Sequence, residues 1–263
     1  MIRLIASDVD GTLVKDGSPD INPEYYDVIS RLCEKGIIFC IASGRQYTSV
    51  RRMFRPVSDR LLYIAEGGGV LRSDSEVYHI EPLPEEYIRE FLDDCRSCTE
   101  LDRLIATSDL TYTETGDTPM YHLLKDSYRF DVKNLDSLDQ VPLEKAVKIS
   151  LFHETDAEGI CSRTLIPKWK DRFQIASSGI QWIDCLSPHT SKGNSLKVLQ
   201  QRLGISPDET MVFGDNMNDI SMLHQAKYSY AVGNARDEVK CEAAFVADTY
   251  DNNGVLKELK KLL

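Results

Sequence analysis

The first part of the chain alternates between short apolar runs and more polar segments that open with helix-start residues. A short apolar run bounded by turn residues is typical of a strand buried on both faces of a sheet. Asn22 and Pro23 predict the start of one helix, because Asn is a favoured N-cap and Pro fits the first helical position. This alternation predicts a parallel sheet with right-handed crossovers. The predicted strands are residues 1–7, 36–42 and 61–65, with helices over 23–35 and from about 46.

The last part of the chain repeats the alternation. Thr190 and Ser191 can cap a helix that runs to about Leu203, and Gly204 predicts its end. A shorter helix is predicted over about 218–226. Strands are predicted over residues 210–213, 228–232 and 243–247.

The middle of the chain has a different character. Pro82 and Pro84 interrupt it, and a strongly charged predicted helix follows them. The predicted strands are 104–108, 110–115, 147–152 and 181–186. We therefore expect residues 83–186 to form an inserted α/β domain, and residues 1–82 and 187–263 to form one discontinuous sheet domain.

Composition and charge narrow the classes of partner. The 263 residues are 42% apolar and 28% charged, which are ordinary values for a globular protein. The formal net charge of −11 disfavours binding to nucleic acid or to an anionic membrane surface. A small anionic substrate stays compatible, because local charge at a site can oppose the net charge. The longest apolar run, residues 37–42, is far shorter than the roughly 20 residues of a membrane-spanning helix.

The N-terminus and the cysteines predict a cytoplasmic protein. Asp8 and Asp10 interrupt the apolar stretch where a secretory signal would continue. Seven cysteines in a chain without such a signal are expected to be free thiols in a reducing cytosol. Cys95 and Cys98 have CxxC spacing, but no second pair lies at zinc-ribbon distance. We therefore expect the end of an amphipathic helix there rather than a zinc site.

Polar clusters follow several of the predicted strands. Ligands bind at the carboxyl ends of the strands in parallel α/β sheets, so clusters far apart in sequence can converge in one crevice. The clusters are residues 8–12, 43–45, 191–193 and 214–219.

Asp8 and Asp10 begin the first cluster. Residues two apart in an extended chain point to the same side, and two carboxylates held that close favour a divalent cation or a shared proton. Hard oxygen ligands suit Mg²⁺. Gly11 permits a sharp turn, and Thr12 offers a hydroxyl and an amide. The alternative is an ordinary Asp-Gly turn after a strand.

The other clusters point to an anion and a cation. The Ser43 hydroxyl and the amides after it suit a phosphate oxygen, although a helix N-cap explains Ser43 equally well. Lys192 lies near a predicted helix start, where the dipole favours anions, so a bound anion would explain it, although a solvated lysine is the simpler explanation in isolation. Asp215, Asn218 and Asp219 crowd acids and amides after a strand, and a cation is their natural partner, although an Asp/Asn-rich loop with a helix cap is the alternative.

In this order, these clusters resemble the four motifs of the haloacid dehalogenase-like hydrolases. The matching residues are Asp-Val-Asp-Gly-Thr at 8–12, Ser43, Lys192 and Gly-Asp-x-x-Asn-Asp at 214–219. The inserted block resembles the α/β cap of the Cof-type subfamily. The resemblance implies a Rossmann-like parallel sheet with helices on both faces. Glu66 departs from the pattern, because Cof-type proteins usually have Asn there, so substrate preference does not transfer at this position.

The resemblance also implies a role for each motif residue. Asp8 would be the nucleophile that forms an aspartyl-phosphate, and Asp10 would be the general acid and base. Mg²⁺ would be bound by Asp8, the Asp10 backbone carbonyl and Asp215, with Asp219 supporting the metal shell. The residues implied to hold the phosphoryl group are Thr12, Ser43, Gly44, Lys192 and Asn218.

The sequence thus predicts a Mg²⁺-dependent phosphatase of small phosphorylated metabolites, with sugar phosphates favoured. A phosphomutase would share the aspartyl-phosphate but re-phosphorylate its product. A signalling receiver domain also combines an acidic Mg²⁺ pocket with a lysine, but it lacks a large insertion. A non-catalytic phosphate-binding protein is the remaining alternative. Neither the individual substrate nor the oligomeric state follows from the sequence.

Overall fold

The chain folds into two compact units in the computed structural model, which describes residues 1–96, 98, 100–178 and 180–263. The first unit comprises Met1–His79 and Ser191–Leu263, and the second comprises Ile80–Thr190. The second unit begins three residues before the predicted insertion, 83–186, and ends four residues after it.

The strands are numbered in chain order. They are β1 (Leu4–Ser7), β2 (Ile38–Ala42), β3 (Leu61–Ala65), β4 (Val70–Arg72), β5 (Val77–Ile80), β6 (Asp102–Thr107), β7 (Thr111–Thr113), β8 (Val132–Asn134), β9 (Ala146–Phe152), β10 (Gln174–Ser178), β11 (Trp182–Leu186), β12 (Thr210–Gly214), β13 (Tyr228–Ala231) and β14 (Phe245–Val246).

The α-helices are short, and two of them continue directly into π-helical turns, at Leu123–Ser127 after α4 and at Cys161–Leu165 after α5. They are α1 (Glu24–Glu34), α2 (Tyr47–Met53), α3 (Glu85–Cys95), α4 (Pro119–His122), α5 (Ala157–Ile160), α6 (Ile166–Trp169), α7 (Lys192–Leu203), α8 (Ile220–Leu223), α9 (Asp237–Glu242) and α10 (Gly254–Lys260). Within the described ranges, no helix has the length and apolar character needed to cross a membrane.

The first unit is built on an eight-stranded sheet in the order β14-β13-β12-β1-β2-β3-β4-β5. The pairs from β14 to β3 are parallel, and β4 turns back antiparallel to β3. Every residue of β1 and β12 is buried, as expected for central strands covered on both faces. Helix α1 buries Tyr25, Val28, Ile29 and Leu32, an i, i+3, i+4, i+7 stripe, and contacts β2.

The second unit is built on a six-stranded sheet in the order β10-β11-β9-β6-β7-β8. Its pairs are antiparallel except β7 with β8. Ile149 and Leu151 of β9 belong to its main apolar core, together with Phe91, Trp169 and Phe173 from the helical side. Cys95 lies in this core and Cys98 packs against it, and both are free thiols.

The predicted α/β fold is confirmed, and the differences concern element ends and short strands. Helix α1 begins at Glu24, one residue later than predicted, with Pro23 as N-cap, and the Asn22 side chain accepts a hydrogen bond from the Glu24 amide. The helix predicted over 218–226 is replaced by a 3₁₀ turn, Met217–Asp219, and the four residues of α8. The strands that the pattern did not predict are β4, β5, β8 and β10.

Candidate active site

The loops that hold the predicted site residues other than Lys192 follow neighbouring strands of the eight-stranded sheet. Strands β12, β1, β2 and β3 lie side by side and run parallel, so their carboxyl ends meet at one edge. Backbone hydrogen bonds join the strand ends. The Asp8 amide donates to Phe213 O at 3.0 Å, and the Gly67 amide donates to Ser43 O at 3.0 Å. Segments far apart in sequence therefore form one continuous edge.

Lys192 lies among buried carboxylates at this edge. Its Nζ donates to Asp8 Oδ1 and to Asp219 Oδ1, both at 2.6 Å. Lys192 is 1% exposed, Asp219 0% and Asp8 5%. Lys192 is the first residue of α7, whose N-cap Ser191 accepts a hydrogen bond from the Asn194 amide at 3.0 Å. The predicted helix cap therefore fixes the backbone from which the ammonium reaches the acids.

The loop after β12 orients its carboxylates through its own backbone. Asp219 Oδ2 accepts hydrogen bonds from the amides of Asp215 and Asn216, each at 3.0 Å. Thr12 Oγ1 donates to Asp215 Oδ1 at 2.8 Å. One carboxylate oxygen from each of Asp8, Asp215 and Asp219 lies within 4.8 Å of the others. These carboxylate oxygens are close enough together to coordinate one metal ion.

Glycines allow the loops to approach this closely. Gly11 has φ +81°, and a Cβ there would lie 2.3 Å from Asp215 Oδ2. Gly68 has φ +112°, and a Cβ there would lie 2.4 Å from the Ser191 carbonyl oxygen. A side chain at either position would strain the backbone and push the loops apart.

The buried cluster around Lys192 contains more carboxylates than ammonium groups. Burial raises the pKa of Asp8 well above its usual range, although Lys192 opposes the shift. Burial, and then Asp219, raise the pKa of Asp215 to about 6. Burial by itself would lower the pKa of Lys192, but the charges of Asp219 and Asp8 outweigh it and raise that pKa, so Lys192 stays an ammonium. One ammonium does not neutralise the carboxylates around it.

The Asp10 carboxylate lies outside this cluster and pairs with Arg45. Arg45 Nε donates to Asp10 Oδ2 at 2.7 Å, and Nη2 donates to Oδ1 at 2.5 Å. The Gly17 amide also donates to Asp10 Oδ1, at 3.0 Å. The two aspartates of the first motif therefore have different partners, Lys192 for Asp8 and Arg45 for Asp10.

The remaining predicted residues border the same edge. Ser43 is buried, and its Oγ accepts a hydrogen bond from the Arg45 amide at 3.1 Å rather than capping α2, whose N-cap is Gln46. Open space faces the Cα of Gly44, where an oxygen ligand would fit. Asn218 is exposed on the 3₁₀ turn that also holds Asp219.

Comparison with known proteins places this site in a family. A model of the haloacid dehalogenase-like hydrolases matches residues 5–259. The chain belongs to the haloacid dehalogenase-like hydrolases. The family predicted from the four motifs is thereby confirmed.

Full-length relatives of this haloacid dehalogenase-like hydrolase are named phosphatases. Phosphatase YwpJ of Bacillus subtilis is 27% identical over 300 residues, covering 100% of both chains. The 5-amino-6-(5-phospho-D-ribitylamino)uracil phosphatase YbjI of Escherichia coli is 26% identical over 262 residues, covering 100% of this chain and 96% of its own. A crystal structure from Eubacterium rectale is 42% identical with a TM-score of 0.90, covering 100% of this chain and 99% of that one. The chain is thus an enzyme, a phosphatase of this family.

The donor set of this haloacid dehalogenase-like hydrolase fits a divalent cation. Asp8, Asp215 and Asp219 offer carboxylate oxygens and no soft ligand, which is the chemistry of a hard cation. The unneutralised charge around Lys192 points the same way, because burial and the charge of Asp219 together raise the pKa of Asp215, and a bound cation would stabilise its ionised form.

Two residues of the site have no role in the sequence-based prediction. Arg45 stands in the second cluster, but its reach to Asp10, 35 positions away, is not visible in a linear pattern. Asn234 Nδ2 donates to Gly11 O at 2.7 Å and its Oδ1 accepts from the Tyr250 amide at 3.0 Å, so it holds the first loop from a distant segment. Nothing in the sequence around Asn234 marks it.

Glu66 is buried, has φ +52°, and its amide donates to Arg45 O at 3.1 Å.

Proposed function

We propose that this protein is a Mg²⁺-dependent phosphatase that hydrolyses small phosphorylated metabolites, sugar phosphates first among them, through an aspartyl-phosphate on Asp8. The observation that carries the proposal is the buried contact of Lys192 Nζ with Asp8 and Asp219 at 2.6 Å, beside the carboxylate of Asp215. A buried carboxylate held against an ammonium, among further acids, suits a nucleophile that must meet an anionic phosphate.

The proposed reaction has two steps, phosphoryl transfer to Asp8 and hydrolysis of the aspartyl-phosphate. A carboxylate oxygen of Asp8 attacks phosphorus, the bond from phosphorus to the alcohol oxygen breaks, and Asp10, which enters this step protonated, gives that oxygen its proton. Asp10 then takes a proton from water as the water oxygen attacks phosphorus, which releases inorganic phosphate and restores Asp8. Lys192 neutralises charge on the phosphoryl oxygens.

Further groups would bind and orient the phosphoryl group. Thr12, Ser43, the Gly44 amide and Asn218 are the proposed oxygen ligands. Mg²⁺ held by Asp8, the Asp10 carbonyl and Asp215, with Asp219 in support, would supply positive charge that lets the carboxylate approach the phosphate.

The second unit is the proposed source of substrate selectivity, acting as a cap. Ile149 and Leu151 face its apolar core, so the alternate residues of β9, Lys148 and Ser150, belong to the opposite face of the sheet. Ser150 Oγ donates to Asp184 Oδ1 at 2.5 Å across the β9–β11 pair. Asp184 is half-buried on that face, where it could bind a polyhydroxylated group, and the buried Lys148 and Ser150 lie beside it.

Phosphate release from p-nitrophenyl phosphate, with Mg²⁺ and with chelator, tests the activity and its metal. Mass spectrometry of the acid-quenched enzyme tests for phosphate on Asp8. Formation of an isomeric sugar phosphate without free phosphate would favour the phosphomutase, and binding without turnover would favour the non-catalytic alternative.

A substrate panel tests selectivity. It should contain sugar phosphates, nucleotides and a phosphoribityl compound, since the Escherichia coli relative carries such a substrate in its name. Lys148→Met and Asp184→Asn should change the ranking of these substrates by kcat/KM, whereas Lys168→Met, at an exposed lysine of the same unit, should not. An unchanged ranking in both variants would count against selection by this face.

A further inference from the structure

Arg45 and Asp10 form a two-point ion pair beside the candidate active site. Arg45 Nε and Nη2 bond different oxygens of the carboxylate, at 2.7 and 2.5 Å. The side chain of Arg45 is 4% exposed, against 23% for Asp10. Nη2 also donates to the Ser18 carbonyl at 2.9 Å. A planar guanidinium bonded at two points fixes the plane of a carboxylate as well as its position, which a single contact cannot do.

The backbone of Arg45 is itself fixed on both sides. Its amide donates to Ser43 Oγ at 3.1 Å, and its carbonyl accepts from the Glu66 amide at 3.1 Å. Arg45 is therefore anchored to the ends of β2 and β3, while Asp10 lies on the loop after β1. The pair ties the first loop to the second through a side chain rather than through the sheet.

Without Arg45, nothing cationic among these contacts would oppose the repulsion that Asp10 meets. Asp8 lies two residues before it, and burial, followed by the charge of Asp10, raises the pKa of the Asp16 carboxyl, so these acids lie close enough to repel. Carboxylates in such proximity repel one another, so the unpaired Asp10 side chain would rotate toward solvent. A proton donor displaced by about 1 Å loses much of its effect on the reaction.

We propose that Arg45 is a positioning residue that holds the Asp10 carboxyl in the orientation needed to protonate the leaving oxygen. This inference rests on the proposed function, in which Asp10 is the general acid. Arg45 acts through Asp10 and has no direct part in the attack on phosphorus.

The test compares leaving groups of similar size and different basicity: p-nitrophenyl, phenyl and benzyl phosphate. Nitrophenolate leaves without a proton, whereas the benzyl alkoxide needs one, so a defect in the general acid grows from the first to the last. The quantity measured is kcat/KM, because it reports the steps up to phosphoryl transfer to Asp8 and excludes attack by water.

Arg45→Gln should lower kcat/KM by about 100-fold on benzyl phosphate and by less than about 10-fold on p-nitrophenyl phosphate, following the size of a general-acid effect. Arg45→Lys keeps the charge without the fork, so it should show the same trend and also serves if Arg45→Gln folds poorly. The matched control is Arg51→Gln on α2. Arg51 makes a two-point pair with Asp74, and its loss should leave all three substrates within about twofold.

A double variant separates positioning from other roles. Arg45→Gln combined with Asp10→Asn should be no slower on benzyl phosphate than Asp10→Asn alone, because Arg45 then has nothing left to orient. Losses that multiply, or an Arg45→Gln loss equal on all three substrates, would overturn the inference and point to a direct phosphate contact or a structural role. If Asp10→Asn itself shows no dependence on the leaving group, the assignment of Asp10 fails and the inference fails with it.

Discussion

The eight-stranded sheet gathers its polar loops at one edge, whereas the six-stranded sheet distributes its turns over two. In the first unit, β12, β1, β2 and β3 are parallel neighbours, so each one ends at the edge that holds Lys192. In the second unit, β10, β11, β9 and β6 are antiparallel neighbours, so successive strands end at opposite edges. Parallel topology thus concentrates chemistry that antiparallel topology disperses.

Both units have surface acids whose pKa is lowered by a hydrogen-bonded cation, as at Asp74 of the first unit, but the first unit also has buried acids whose pKa is raised. In the second unit, a hydrogen bond from Lys168 lowers the pKa of Asp94, and one from Arg163 lowers that of Asp156. In the first unit, burial raises the pKa of Asp8 and of Asp215. The first pattern contributes stability at neutral pH, and the second opposes it until a ligand arrives. The buried acids of the first unit are therefore the acids that a bound cation would stabilise.

Asp8→Asn should abolish catalysis by the first unit without unfolding it. The amide keeps an oxygen acceptor for Lys192 but cannot attack phosphorus, so turnover of p-nitrophenyl phosphate should fall by about 10⁴-fold or more. The melting temperature should stay the same or rise, because one member of a repelling set becomes neutral. Phosphate release and thermal unfolding measure the two effects. Retention of near-wild-type kcat would show that Asp8 is not the nucleophile.

Phe91→Ala should do the reverse, by weakening the second unit without touching the site. Phe91 is fully buried, with ring centroids 5.2 Å from Trp169 and 5.4 Å from Phe173. Removal of a buried Phe costs about 3–5 kcal/mol of unfolding free energy. Both tryptophans, Trp169 and Trp182, lie in this unit, so their fluorescence in urea follows its unfolding.

The control for Phe91→Ala is Phe245→Ala on the edge strand of the first unit. Phe245 is 44% exposed and stacks on Tyr230 at 5.0 Å, so its removal should cost about 1 kcal/mol. Hydrolysis of p-nitrophenyl phosphate without denaturant should survive both substitutions. Equal losses of stability in the two variants would remove the distinction between a stabilising core and a functional edge.

The sequence correctly predicted the helices and strands that depend only on their own residues and caps. β3 spans Leu61–Ala65 as predicted, because its apolar run and its flanking polar residues define a buried strand without reference to neighbours. Ser191 caps α7 and Gly204 ends it in the left-handed conformation, again as predicted. The motif residues adjoin such strands, which is why their convergence at one edge followed from the pattern.

The strands that escaped prediction depend on pairing rather than on pattern. β5 and β8 are short and have no buried residue, and their residues extend because a neighbouring strand hydrogen-bonds to them. The loop after β12 shows the same limit. A capping box between Asn216 and Asp219 turns the chain into a 3₁₀ turn before α8 begins, so the helix is shorter than its apolar spacing indicates. The pairing of Arg45 with Asp10 is likewise a property of the assembled loops.

Raising the pH of the metal-free protein should expose the cost of the buried acids. The pKa of Asp215 is about 6 in the folded protein and about 4 in the unfolded chain, so the folded state binds its proton more tightly. The resulting stability is fully present below about pH 4 and is lost as the pH rises through about 6, by at most about 3 kcal/mol. Mg²⁺ should restore stability at neutral pH, because it binds the ionised carboxylates.

Asp215→Asn is the control for that titration. Melting temperatures of both proteins, taken in chelator from pH 4 to 7 and then with Mg²⁺, measure the difference between them. The variant should lose less stability over this range and gain less from Mg²⁺. Parallel curves for the two proteins would contradict an excess of buried negative charge at Asp215.

Asp94→Asn should give the smallest effect, with the opposite dependence on pH. Asp94 accepts hydrogen bonds from Lys168 Nζ and, at 2.9 Å, from Trp169 Nε1. Lys168 is 57% exposed, so the pair contributes about 0.5–1 kcal/mol at neutral pH, less in high salt.

The hydrogen bond from Lys168 lowers the folded pKa of Asp94 below its unfolded value of about 4, so this contribution is complete above about pH 4. It disappears as the pH falls through the folded value. Urea unfolding followed by tryptophan fluorescence should therefore show that Asp94→Asn is less stable than wild type at pH 7, by a difference that shrinks in acid. Asp215→Asn should instead be more stable than metal-free wild type at pH 7, relative to their difference in acid. A difference at Asp94 that grows as the pH falls would mean that this carboxylate is strained in the fold, and the contrast between surface pairs and buried acids would fail.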